Sequence, residues 1–97
     1  MNLDLNGKNA VVCGASQGIG KAAAIELSLL GANVTLIARD EQKLKHAWGE
    51  LHHGHQLHHN LVADFTHPAD VKKKIDEFVS KHTVHILVNN TGGPPAG

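Results

Sequence analysis

Cys13-Gly14-Ala15-Ser16-Gln17-Gly18-Ile19-Gly20 lies between an apolar Val11-Val12 and an alanine-rich Ala22-Ala23-Ala24. The stretch leaves a strand and enters a helix, and its glycines are spaced G-x-x-x-G-x-G. Gly14 suits the sharp turn out of the strand, Gly18 lets the backbone approach a bulky anion, and Gly20 allows a helix to pack closely on a sheet. The helix that follows turns its free N–H groups and the positive end of its dipole toward the turn. The expectation is a cradle for a pyrophosphate. The spacing differs from the common G-x-G-x-x-G, so a plain glycine-rich turn is the alternative reading of this stretch alone.

Outward from the turn, short apolar runs recur at Ala10 to Cys13, Val34 to Ala38, Leu61 to Ala63 and Ile86 to Val88. Each is too brief for a helix and lacks alternation, which predicts parallel strands buried on both faces. Between them, Ile19, Ala23, Leu27 and Leu30, then Leu44, Ala47, Trp48 and Leu51, then Val71, Ile75, Phe78 and Val79 fall at helical spacing. Gly31 and Gly54 read as stops after the first two helices. Thr66 or His67 reads as a cap for the third, with Pro68 in its first turn. The order β-α-β-α-β-α-β with right-handed crossovers predicts a doubly wound parallel sheet of strand order 3-2-1-4.

That topology leaves the third helix alone on the second face of the sheet and the fourth strand as an open edge, where a parallel sheet ordinarily continues. Residues 1–97 are therefore expected to form one incomplete domain, the first half of a longer fold. The Gly92 to Gly97 tail is taken to mark the truncation point.

Composition narrows the partners. The chain has 97 residues, 41% of them hydrophobic, with nine Lys plus Arg against nine Asp plus Glu. Such a balance provides no basic field for nucleic acid or an anionic membrane. Met1 to Lys8 carries an acidic residue and no apolar run, unlike a secretion signal or an anchor, so a cytoplasmic location is expected. Cys13 is the single cysteine, which excludes an internal disulfide and any cysteine-based metal knuckle, and its strand position predicts inert packing.

Three motifs in order resemble the short-chain dehydrogenase/reductase family. Its cofactor half carries T-G-x-x-x-G-x-G, an acidic residue after strand 3 and N-N-A-G after strand 4; here these are Cys13 to Gly20, Asp64, and Asn89-Asn90-Thr91-Gly92. The resemblance spans essentially the whole chain and implies a Rossmann-like sheet that binds NAD(P). Each matching position falls just past the carboxyl end of a strand, where open α/β sheets bind ligands. By this resemblance the cofactor contacts are Gly14, Ser16, Gln17, Gly18, Ile19, Gly20, Arg39, Asp64, Asn90, Thr91 and Gly92. Asp64 would accept the adenine amino group, and the backbone around Asn90, Thr91 and Gly92 would line the adenosine ribose. For Asp64 the alternative is an ordinary helix-entry residue.

The resemblance also implies a parent enzyme that moves hydride between nicotinamide and a small carbonyl or alcohol substrate, as a homo-oligomer. The family's catalytic Asn, Ser and Y-x-x-x-K have no counterpart among these residues, and the chain contains no Tyr. No catalytic residue is therefore assigned, and the 97-residue chain is expected to be inactive by itself. Cys13 replaces the family's usual Thr, which helps tie strand 1 to strand 4, and Thr91 its usual Ala, so the resemblance implies that this tie is either weaker here or supplied by Thr91. The ending Asn90-Thr91-Gly92-Gly93-Pro94-Pro95 resembles a bacterial branch labelled 3-oxoacyl-carrier-protein reductase-like. A non-catalytic nucleotide-binding or interaction module is the competing reading.

Cofactor choice turns on Leu36-Ile37-Ala38-Arg39-Asp40. The family's NAD-selecting Asp aligns with Ala38, and Arg39 is its usual NADP-selecting base, so NADP is expected over NAD. Against this, Asp40 is a carboxylate within reach of a ribose 2'-hydroxyl. Six histidines, His46, His52, His53, His55, His58 and His59, crowd around Gly54. They fall at the end of the sheet away from the turn and lack a recognisable ligand spacing, so no metal site is assigned. Trp48 is read as helix core.

Overall fold

The computed structural model describes residues 4–89. β1 (Asn9–Cys13), α1 (Gly18–Leu29), β2 (Asn33–Ala38), α2 (Glu41–Glu50), β3 (His59–Val62), α3 (Pro68–Lys81) and β4 (Ile86–Asn89) alternate along the chain. The strands form one parallel sheet in the order β3-β2-β1-β4. The expected α/β fold and strand order are thus observed. Among the described residues no helix is long and apolar enough to cross a membrane.

Alternate residues of β1 and β2 supply two cores. Ala10, Val12, Val34, Leu36 and Ala38 meet Ala24 of α1 and Leu44 and Ala47 of α2. Val11, Cys13 and Ile37 join Ala63 and Val71 on the face that α3 covers. Full burial of a side chain such as Leu36 or Leu44 is worth about 1.5–3 kcal/mol. Burial also raises the Cys13 thiol above its ordinary value, which disfavours the reactive thiolate.

Only β1 and β2 are buried on both faces, contrary to the expectation for all four strands. β3 and β4 are the sheet's edges and remain largely open. Leu87 lies in register with Val11 on the α3 face yet is 62% exposed, because α3 sits over the middle of the sheet.

The helices correct several sequence expectations. α1 fully buries Gly20, Ala24 and Ser28, spaced four apart; of the expected Ile19, Ala23, Leu27 and Leu30, Leu27 packs half-buried against the core and Ile19 is exposed. A face of small residues lets the helix lie close to the sheet, and the larger apolar groups flank the contact. Trp48 is not core: it is 38% exposed and leans on the His53 ring, with centroids 4.3 Å apart. Val79 likewise points outward, leaving Val71 as the buried residue of α3. Gly31, at φ +101, does terminate α1. Gly54 does not terminate α2, which ends at Glu50 with Leu51 as its cap. His67 occupies the N-cap position of α3, but neither it nor Thr66 supplies a side-chain cap there.

The amino end of the sheet is closed by polar side chains. The Ser28 hydroxyl donates to the Ile25 carbonyl at 2.7 Å and accepts from the His52 N–H at 2.9 Å. The Gln56 amide donates to the carbonyls of Ser28 and Ala32 at 2.6 and 3.1 Å. Buried His58 accepts the Val34 N–H at Nδ1, at 2.9 Å, and its Nε2 lies 2.8 Å from the His52 carbonyl. An acceptor at Nδ1 and a donor at Nε2 fix one neutral tautomer. Part of the histidine cluster is therefore structural, a role its spacing did not reveal.

Burial pushes the His58 pKa down, with the nearby His53, His52 and His59 adding to the shift against the bond to His52. The folded chain thus binds this proton less tightly than the unfolded chain, where histidine titrates near about 6.5. Stability is complete above that value and falls as the pH drops below it. Urea unfolding of the wild type should show this loss between pH about 7 and about 5, and His58→Gln should flatten it. Equal pH slopes in the two proteins would exclude this role for His58.

Candidate functional site

At the opposite end of the sheet, the chain leaves β1 through Gly14 at φ +71 and enters α1 through Gly18 at φ +63. Both lie in the left-handed region, where a Cβ costs roughly 1–2 kcal/mol. The Gly14 N–H donates to the Ile37 carbonyl at 2.8 Å, which holds the turn against the end of β2. Gln17, the residue before α1, is fully extended and offers no side-chain cap, and the first turn contains no acidic residue. The amino end of α1 therefore keeps its donors and its positive potential available to an anion.

A groove of about 490 Å³ opens in front of this helix end. Gly14, Ser16, Gln17, Gly18, Ile19, Arg39 and Asp64, separated by up to fifty positions in sequence, all line it. Gly20 does not; it is a buried residue of the first turn of α1. Asn90, Thr91 and Gly92 lie outside the described residues. Ala38, Phe65 and Thr66 line the groove as well. They were not singled out as contacts, although their places beside Arg39 and Asp64, at the carboxyl ends of β2 and β3, are the signal that marks them.

The groove has two chemical halves. Toward α1 it presents backbone donors around Gly18, with Ile19 78% exposed at the helix entrance. Toward β2 and β3 it presents the exposed guanidinium of Arg39 and the carboxylate of Asp64. Asp40 is occupied elsewhere, accepting the Lys43 N–H at 3.1 Å as the cap of α2.

Asp64 is a helix-entry residue and a groove residue at once. Its Oδ1 accepts the Thr66 N–H at 2.9 Å and the Thr66 hydroxyl at 2.7 Å. These bonds lower its pKa below the ordinary carboxylate value, with smaller contributions from His67 and Arg39. The carboxylate stays ionised and able to accept a hydrogen bond from a ligand.

A Cβ built on Gly18 meets no protein atom within 4 Å, so the space in front of this glycine is open. An anion seated on the α1 donors needs that space. Gly18→Val should fold with a destabilisation of roughly 1–2 kcal/mol from its positive φ and lose, in a calorimetric titration, the dinucleotide binding expected from the sequence. Wild-type affinity in the folded variant would remove this turn from the site.

Comparison with known proteins agrees with this geometry. The sequence profile described as short chain dehydrogenase matches residues 8–97. Human "Dehydrogenase/reductase SDR family member 12" is 32% identical over 94 residues, covering 95% of this chain and 30% of that protein. Human "Inactive hydroxysteroid dehydrogenase-like protein 1" is 40% identical over 87 residues, covering 89% of this chain and 26% of that protein. The crystal structure of L-sorbose reductase from Gluconobacter frateurii, complexed with NADPH and L-sorbose, superposes with a TM-score of 0.83 at 29% identity. That match covers 100% of this chain and 38% of the reductase. The chain thus spans about a third of the length of the proteins it matches.

Proposed function

This chain belongs to the short chain dehydrogenase family and carries its NAD(P)-binding region, and from that premise we propose that it is the NADP(H)-binding portion of a reductase acting on a small carbonyl or alcohol. The observation that carries the reading is the convergence of Gly14, Gly18, Arg39 and Asp64 on one groove at the amino end of α1. The backbone of the glycine turn binds the pyrophosphate, Asp64 accepts the adenine amino group, and Arg39 takes the 2'-phosphate. Bound NADP supplies the hydride acceptor, and NADPH the donor.

The preference for NADP rests on three neighbouring residues. Ala38 and Arg39 line the groove at the end of β2, whereas Asp40, whose Oδ1 caps α2 on the Lys43 N–H, is not among its lining residues. A charge-assisted contact from Arg39 to the 2'-phosphate is worth roughly 1.5–3 kcal/mol, or on the order of 10- to 100-fold in affinity. NADPH should therefore bind more tightly than NADH, and Arg39→Ala should remove most of the difference. Equal dissociation constants before the mutation would overturn the assignment of Arg39.

The parent is proposed to be cytoplasmic and homo-oligomeric, with the exposed Leu87 edge covered by the rest of its own domain. The Asn90 to Pro95 segment favours a 3-oxoacyl-carrier-protein reductase-like branch for the substrate. The family's catalytic Tyr is not present in this sequence, so the 97-residue chain should bind NADPH without oxidising it in the presence of carbonyl substrates. Turnover above the buffer rate, followed by the loss of NADPH absorbance, would contradict this division between binding and chemistry.

A second reading, a non-catalytic nucleotide-binding module, is favoured by the 40% identity to a relative whose name declares it inactive. The parent's sequence beyond position 97 separates the two. A Ser followed by Y-x-x-x-K supports the reductase, and the absence of both supports the module.

A further inference from the structure

Asp64 follows the buried Ala63, whose N–H still donates to the Ala38 carbonyl of β2 at 2.9 Å. The backbone of Asp64 is thereby anchored, but an aspartate side chain turns about two bonds and can aim its carboxylate in several directions. One neighbour removes that freedom. Oδ1 accepts the Thr66 N–H at 2.9 Å and the Thr66 hydroxyl at 2.7 Å, while the Asp64 carbonyl accepts the His67 N–H at 2.9 Å.

We propose that Thr66 is a positioning residue for adenine recognition: by holding Oδ1 twice, it fixes the Asp64 carboxylate so that Oδ2 is left to accept the amino group of the base. The inference rests on the reading of the groove as an adenine-nucleotide site and adds to it the residue that makes its carboxylate selective. The Thr66 hydroxyl acts through Asp64, because its single proton is already directed at Oδ1.

Three observations set this arrangement apart from a plain helix entry. A hydroxyl at such an entry can cap the free N–H groups of the helix, yet α3 has no side-chain cap and the Thr66 hydroxyl is spent on Asp64. The two bonds from Thr66 are also the main reason the carboxyl lies below its ordinary value, so the group is at once oriented and ionised. Finally, Oδ2 retains acceptor capacity. It lies 3.3 Å from His67 Nδ1, a contact that uses only part of what a carboxylate oxygen can accept, and Arg39 adds a favourable field from the end of β2.

A fixed acceptor separates one base from another. Adenine offers the carboxylate an N–H donor at its amino group, whereas hypoxanthine has a carbonyl oxygen there, which the carboxylate repels. A carboxylate released from Thr66 can swing away from that oxygen and is less often in place for the amino group. Loss of the hydroxyl therefore weakens adenine binding and narrows the preference for adenine.

The test is a calorimetric titration of ADP-ribose and its hypoxanthine analogue into the wild type, Thr66→Val and Thr66→Ser. Thr66 is exposed, and valine keeps its shape and its backbone N–H bond while removing the hydroxyl that serine restores. Thr66→Val should weaken ADP-ribose binding by roughly three- to tenfold, the worth of one hydrogen bond, without weakening the analogue. Thr66→Ser should bind both ligands like the wild type. In the ligand-free chains, carbon NMR of the Asp64 carboxyl should show a higher titration midpoint in Thr66→Val than in the wild type or Thr66→Ser. An unmoved midpoint, wild-type affinity of Thr66→Val for ADP-ribose, or an equal loss for both ligands overturns the positioning role and leaves the nucleotide site standing. Failure of ADP-ribose to bind the wild type overturns the site and the role together.

Discussion

The close seating of α1 on the sheet, through Gly20, Ala24 and Ser28, is the constraint on which the other features depend. These small residues bring the helix over β1 and β2, so its amino end arrives directly behind the turn from Gly14 to Gly18. A larger residue at one of these positions would lift the helix and withdraw its N–H groups from the groove. The left-handed glycines are required by the same approach, because the chain must reverse within a few residues between β1 and the helix.

The two ends of the sheet treat their polar groups in opposite ways. At the amino end, Ser28, Gln56 and His58 satisfy backbone donors and acceptors, tying the loop after α2 to α1 and β2. At the carboxyl end, α1 has no side-chain cap, Arg39 stands exposed in the groove and Asp64 half-buried beside it. Hydrogen bonds left unmade inside a fold are costly, so the satisfied end supplies stability. The solvated end keeps its donors and charges available for a ligand, and both conditions follow from one parallel topology.

Topology was legible because parallel strands leave unbroken apolar runs and the intervening helices have a different period, so the element order and the 3-2-1-4 sheet could be read directly. The groove residues were legible for a related reason: Gly14, Gly18, Arg39 and Asp64 each follow the carboxyl end of a strand. Side-chain direction was less so. Hydrophobic spacing pointed to Ile19 and Leu27 for the α1 contact; Leu27 flanks the core, but Ile19 is exposed and close packing selected the small face. Trp48 satisfied the helical period of α2 but lies beyond the edge of the buried stripe, where His53 covers one side of it. The roles of Ser28 and His58 depend on partners more than twenty positions away, which no local pattern specifies.

The reading of the chain as a nucleotide half-domain makes one spatial claim above all, that the cofactor lies across the carboxyl ends of β1, β2 and β3 with its phosphates on α1. The most direct measurement is an NMR titration of the isotope-labelled chain with NADPH, following every backbone amide. The account predicts that the largest shifts fall on Gly14, Gln17, Gly18, Ile19, Arg39 and Phe65, while Val34, His52 and His58 at the other end stay unchanged. Shifts centred on the histidine-rich end, or none at saturating NADPH, would contradict it.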